Sequence, residues 1–182
     1  MCKGKISLRY PAVELATALL FAAIGYKWQL SITSLQYCIL SLALIISVAT
    51  DISHREVPDQ VSLGTAAILA LIALLTAQWG HLLGGILLFG ILFLIAVASR
   101  GGMGGGDIKL ALAIGLGLGW KLGLVALALA IVFGGVLATV LLLRGNRGKA
   151  LPFAPFLAAG TWIAMFLGGI LVEFYLSIVL RL

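Results

Sequence analysis

Forty consecutive residues, 60–99, contain no Asp, Glu, Lys or Arg. The tract holds two apolar stretches of about 20 residues, each long enough to cross a bilayer as a helix. The same pattern recurs along the chain, with apolar segments at 11–28, 33–50, 60–78, 80–98, 121–143 and 153–178. A shorter segment at 108–120 makes a seventh. Gly, Pro and charged residues mark the breaks, as in "TDISHREVPD", "SRGGMGGGD" and "RGNRGKALP". A soluble domain is about half apolar and a quarter charged. Here 63% of residues are hydrophobic and 10% charged, with a mean hydropathy of +1.22. That leaves too few polar side chains to cover a water-facing surface. Inside lipid the backbone must satisfy its own hydrogen bonds, which favours helices. The expected fold is all-α: a polytopic membrane helix bundle of about seven transmembrane segments, one domain over 1–182.

The net charge of +6 would suggest nucleic acid in a soluble protein, but here the placement of the charges says more. With the N-terminus in the cytoplasm and seven crossings, the inner side holds Lys3, Lys5, Arg9, Arg55, Arg100, Lys109, Arg144, Arg147 and Lys149. The outer side holds Lys27, Lys121 and Arg181. That bias follows the rule that cations gather on the cytoplasmic side, so no nucleic-acid partner is expected and the bilayer is. Trp28, Trp79 and Trp120 fall at the outer ends, where amphipathic rings are favoured. Cys2 and Cys38 are too few for a disulfide framework or a four-cysteine zinc site.

The chain has six acidic residues. Glu14 lies early in the first apolar segment and Glu173 late in the last. Asp51, Glu56 and Asp59 sit in "ATDISHREVPDQ", and Asp107 ends a run with five glycines in six residues, "GGMGGG". Asp107 follows Asp51 by 56 positions with two crossings between, so both return to the same membrane face, each where an apolar segment meets a loop. Ionisable groups at such depth are costly and by default mark function. Two carboxylates close together in a low dielectric cannot both ionise, so one proton is shared. An aspartic protease uses that arrangement: the ionised acid deprotonates a water and the neutral acid donates to the peptide carbonyl.

The glycines can take positive φ and leave room for an extended peptide, while Asp107 opens a helix whose N-terminal dipole favours a carboxylate. Pro58, after Val57, favours an extended or turned path that ends the preceding helix. Plainer roles stand beside these. Asp107 reads equally as an N-cap, Asp51 as a helix-end acid neutralised by His54 or Arg55, and Asp59 as the cap of the helix over 60–78. The glycine run lacks the Gly-Lys-Ser/Thr ending of a phosphate-binding loop. Gly115, Gly117 and Gly119 and the pairs Gly134-Gly135 and Gly168-Gly169 are expected to permit tight helix packing. His54 and His81 fall on opposite faces, so no shared metal site is expected, nor any cofactor. A proton- or cation-coupled transporter using Asp51 and Asp107 is the alternative; it predicts acids near the bilayer midplane and an internal repeat.

"TDISHREVPD" followed by "GMGGGDIKLALAIG" resembles the two aspartate motifs of the type IV prepilin peptidases, the G-x-G-D membrane aspartyl proteases. "ISLRYPAVELATALLF" is similar to the segment joining that family's cytoplasmic and membrane domains, and "ALPFAPFLAAG" to its last-helix entry motif. The four occur in the family's order over essentially the whole chain. The resemblance implies a bacterial inner-membrane, multi-pass enzyme that removes the leader from type IV prepilins or type II secretion pseudopilins. The cut falls at the cytoplasmic face, after a Gly that precedes the substrate's apolar helix. It assigns catalysis to Asp51 and Asp107 and the glycine motif to Gly104 and Gly106. Asp59 matches the acid after the family's Pro, which is not normally assigned to catalysis. Bifunctional members carry two C-x-x-C pairs ahead of this region, in a domain that goes with N-methylation. This chain begins "MCKGKISLRYP", so residues 1–10 read as the linker from, or remnant of, such a domain, and methyltransferase activity is not carried over.

Overall fold

The computed structural model describes residues 9–99, 103–144 and 152–179. The linker expected at the N-terminus lies outside them from residue 1 to 8. So do Lys3, Lys5, Arg100, Arg147, Lys149 and Arg181 of the charge tally, together with Cys2, Gly101 and Gly102.

The described elements are six helices: α1 (Arg9–Trp28), α2 (Ile32–His54), α3 (Asp59–Leu75), α4 (Trp79–Ala98), α5 (Gly105–Leu143) and α6 (Ala154–Val179). Four of them, α2, α4, α5 and α6 over Ala154–Phe174, are long and apolar enough to cross a membrane; α3 is apolar but shorter. Their outward faces carry large apolar side chains such as Leu42, Ile86, Leu94 and Ile170, which suits lipid and not water. The chain is a polytopic membrane helix protein.

Local chemistry sets the boundaries. Ser31 caps α2 with a reciprocal pair: its hydroxyl accepts from the Ser34 N–H, and the Ser34 hydroxyl accepts from the Ser31 N–H, both at 3.2 Å. Arg55 ends α2 in the left-handed region (φ 57°), donating its N–H to the Asp51 carbonyl at 2.9 Å. The helix thus continues four residues past the expected end at 50, and Asp51 lies in its last turn, not in a loop. α3 stops at Leu75, ahead of the expected 78, because Ala77 turns into the left-handed region (φ 54°).

α5 holds the centre, packed against α2, α3, α4 and α6. Drawn straight, its 39 residues would measure about 58 Å, nearly twice the hydrocarbon core. It breaks instead at Gly119, whose φ of 76° is non-helical and suits glycine. The chain reverses there. A Cβ on Gly123 would stand 3.6 Å from the Gly115 Cα, although eight helical residues would separate the two by about 12 Å. The short segment expected at 108–120 is the first limb, 105–118, and the longer one at 121–143 is the second, 120–143. The break leaves the Leu116 carbonyl facing His81, whose Nδ1 donates to it at 2.9 Å.

The first limb is almost wholly buried and lies very close to α4. A Cβ on Gly84 would sit 2.6 Å from the Gly115 carbonyl oxygen and from backbone atoms of Gly119 and Trp120. Gly117 admits Leu40 of α2, at 2.8 Å from a would-be Cβ. These three glycines do the packing expected of them. In the other two pairs only one member does: Gly134 meets Phe153 and Gly168 meets Leu122, whereas Gly135 and Gly169 have nothing within 4 Å. At the far end of α1, Lys27 Nζ donates to the Phe166 carbonyl at 2.6 Å, and Trp28 packs on Tyr37 and Phe166.

Candidate active site

Asp51 sits one turn from the C-terminus of α2 and is 6% exposed. A buried carboxylate needs hydrogen-bond donors, and the donor here comes from the last helix. Pro155 brings no N–H to the first turn of α6, and Phe156 and Leu157 both donate back to Phe153. The Ala154 N–H is left free, as the first N–H groups of any helix are, and it donates to Asp51 Oδ2 at 2.9 Å. An anion at a helix N-terminus also meets the positive end of the helix dipole.

Asp107 lies in the first turn of α5 and is 9% exposed. The N-cap is Gly104, with no side-chain cap bond, and the Asp107 N–H donates to the Gly104 carbonyl at 3.2 Å. Asp107 therefore opens its helix as expected, from inside the first turn and not as the cap. Its Oδ1 is buried with no hydrogen-bond partner among the described residues, and its Oδ2 lies 3.4 Å from where a Gly104 Cβ would be. Gly106 is the position where only glycine fits: a Cβ there would fall 2.7 Å from the Val57 Cβ and 3.0 Å from its carbonyl oxygen. The start of α5 is pressed onto the connector between α2 and α3.

That connector brings the pieces together. Asp51, Asp107, Gly104, Gly106 and Pro58 all line one cavity of about 500 Å³, which His54 and Arg55 also border. Both acids stand at helix ends, Asp51 in the last turn of α2 and Asp107 in the first of α5. Pro58 is extended (φ −64°, ψ 126°) and forms the N-cap of α3, a path its ring favours.

Three expectations need correcting. Asp59 does not cap α3; Pro58 holds that position, and the Asp59 carboxylate, 60% exposed at its side chain, pairs with Lys109 Nζ at 2.6 Å. Asp51 is not met by His54 or Arg55 among the described residues; a backbone amide donates to it instead. Gly104 has a negative φ of −69° and an extended backbone, so at that position the glycine run makes no left-handed turn. The Ala154 N–H was invisible to residue-type reasoning, since every non-proline residue has one; its signal was the pair of prolines, Pro152 and Pro155, bracketing the start of the last apolar segment. By residue type Lys109 is only an inner-side charge; its pairing with Asp59 follows from how α3 meets α5.

Chemically, two buried acids on one cavity, one with an unengaged oxygen, can share a proton and run acid–base hydrolysis. Among the described residues no cluster of three or more His, Cys, Asp or Glu could hold a metal, and His54 and His81 belong to opposite ends of the bundle.

The model of the type IV leader peptidase family matches residues 38–139, which include both acids. The chain is 36% identical to a prepilin leader peptidase/N-methyltransferase of Bacillus subtilis (strain 168), over 98% of this chain and 74% of that protein. A protein of the same name from Stutzerimonas stutzeri is 32% identical, and one from Pseudomonas aeruginosa is 34% identical. Each alignment covers 97% of this chain and 64% of the relative, so this chain spans less than two thirds of those two proteins. No solved structure matches.

Proposed function

The chain belongs to the type IV leader peptidase family, and from that membership we propose that it removes the leader peptide from type IV prepilins or type II secretion pseudopilins. It is a peptidase; the residues that do the work are Asp51 and Asp107. What supports this assignment is that these two acids alone combine deep burial with a shared cavity, at positions that match the family's two aspartate motifs.

The pair holds one proton between its two carboxyl groups. The ionised member takes a proton from a water as its oxygen attacks the peptide carbonyl carbon. The neutral member gives its proton to the carbonyl oxygen. The tetrahedral intermediate then collapses, the C–N bond breaks, and the leaving amine takes up a proton returned through the acids. Gly104 leaves an extended peptide room beside Asp107, Gly106 lets the start of α5 seat against Val57, and the N–H of Ala154 holds Asp51 in position. The cavity faces the cytoplasm of a bacterial inner membrane, on the side where the threading gathers the cations.

The purified protein in lipid, given a prepilin with its leader, tests the reading. Mass spectrometry should find a new N-terminus immediately after the Gly that precedes the apolar segment. An uncut substrate, or a cut elsewhere, overturns the proposal.

A further inference from the structure

Serines and threonines inside helices ordinarily return their hydroxyl proton to a carbonyl one turn back. Thr17, Thr50, Thr76 and Thr139 all do so here, to Val13, Ile46, Ile72 and Gly135. Three fully buried hydroxyls do not. Ser41 and Ser47 of α2 and Thr161 of α6 are each 0% exposed, and none has a hydrogen-bond partner among the described residues.

Their places along the two helices are related. α2 packs on α6, and the bond from Ala154 to Asp51 pins the end of one to the start of the other. From that pin both helices run into the bundle. Ser47 lies one turn from Asp51, about 6 Å deeper on nearly the same stripe of α2. Thr161 lies two turns beyond Ala154, on the same stripe of α6 and about 10 Å deeper. Ser41 lies about 120° around α2 from Ser47 and so falls off that stripe. The stripes that carry Asp51 and Ala154 therefore each bear one unengaged hydroxyl further in, Ser47 on α2 and Thr161 on α6.

A buried hydroxyl without a partner is destabilising, and the ordinary remedy is an ordered water bridging several polar groups. We infer that the α2–α6 seam binds a short file of waters reaching from Asp51 past Ser47 to Thr161, and that this file supplies water to the acid pair from inside the bundle. Its use rests on the hydrolytic reading above. An extended peptide seated in the cavity displaces solvent from the open side, yet each turnover consumes one water. A file behind Asp51 supplies it without the substrate having to leave. Ser47 and Thr161 are then positioning residues that act through the water they hold.

The test has two arms. A map of the wild-type protein in lipid, at a resolution that shows waters, should place at least one within hydrogen-bonding distance of both Ser47 Oγ and Thr161 Oγ1. If both hydroxyls instead point back to the carbonyl one turn earlier with no water between them, the inference is wrong. In the second arm, Thr161→Val keeps the shape and removes the hydroxyl. It should lower kcat about tenfold, the rate equivalent of one lost hydrogen bond, with KM unchanged, and Thr161→Ser should restore it. A Val variant with wild-type kcat, or a Ser variant as slow as Val, overturns the supply role. A loss of thermal stability in Thr161→Val moves the comparison to Ser47→Ala. Ordered seam waters in a wild-type protein that cuts no prepilin would sink the proposed function instead, leaving the bound file in place.

Discussion

Asp51, in the last turn of α2, accepts a hydrogen bond at 2.9 Å from the backbone N–H of Ala154, the first residue of α6 and 103 positions away. One carboxylate thus closes the bundle and faces the cavity. The two roles separate by substitution. Asp51→Asn keeps an oxygen that can accept from Ala154, so the protein should insert and melt close to wild type while leader cleavage falls by roughly 10²- to 10⁴-fold. Asp51→Ala loses both and should also be less stable, by about 1–3 kcal/mol. Thermal melts in detergent beside a cleavage assay read the difference.

Asp107→Asn should be as inactive as Asp51→Asn, whereas Asp59→Asn should retain most activity. The Asp59–Lys109 pair is largely exposed, and such pairs contribute about 0–1 kcal/mol. Leader removal from a co-expressed prepilin, seen as a mobility shift, ranks the three. An inactive Asp59→Asn beside an active Asp107→Asn would reverse the site assignment.

The two acids should govern the pH–rate profile together. Activity falls at low pH as the pair fills with a second proton, and at high pH as the shared proton is lost. The limbs belong to the pair and not to either residue. In Asp59→Asn both limbs should stay where they are; a limb that moves would bring Asp59 into the chemistry.

Two neighbouring glycines should respond in opposite ways. A methyl at Gly106 collides with Val57, 2.7 Å from its Cβ, and displaces the start of α5; a methyl at Gly105 meets nothing within 4 Å. Gly106→Ala should lose on the order of 10²-fold in activity, as small misplacements of catalytic groups do. Gly105→Ala should stay near wild type. Equal losses would show that the glycines matter for substrate room and not for seating Asp107.

A similar contrast tests the packing of α4 on α5. Gly84→Ala puts a methyl against backbone on three sides, which only separation of the helices relieves, while Gly90 has open space. Melting should show a loss of about 1–3 kcal/mol for Gly84→Ala and little change for Gly90→Ala.

Much of this was legible in the order of residues. The ends of α1 and α4 fall where Trp28 and Ala98 meet polar residues, because apolar runs and their breaks govern helix ends in a lipid-facing chain. Asp51 and Asp107 could be placed on one face by counting crossings. The break at Gly119 fell within two residues of its expected place. What stayed hidden depends on contacts between distant segments. The donor to Asp51 is a backbone amide, and the choice of Lys109 over a cap for Asp59 follows from how α3 meets α5. The use of Gly106 depends on Val57 pressing against it, which no local pattern announces.

The reversal at Gly119 bears on how the protein is made. The limb 105–118 rises only about 21 Å, short of the roughly 30 Å that a lone segment needs, and it is sheathed by its neighbours almost throughout. Offered singly to the insertion machinery it would be a poor passenger. Tied to the limb 120–143 it should go in as a hairpin, with Asp107 reaching its final depth once the second limb is delivered; a chain cut short at 119 should then leave the first limb uninserted.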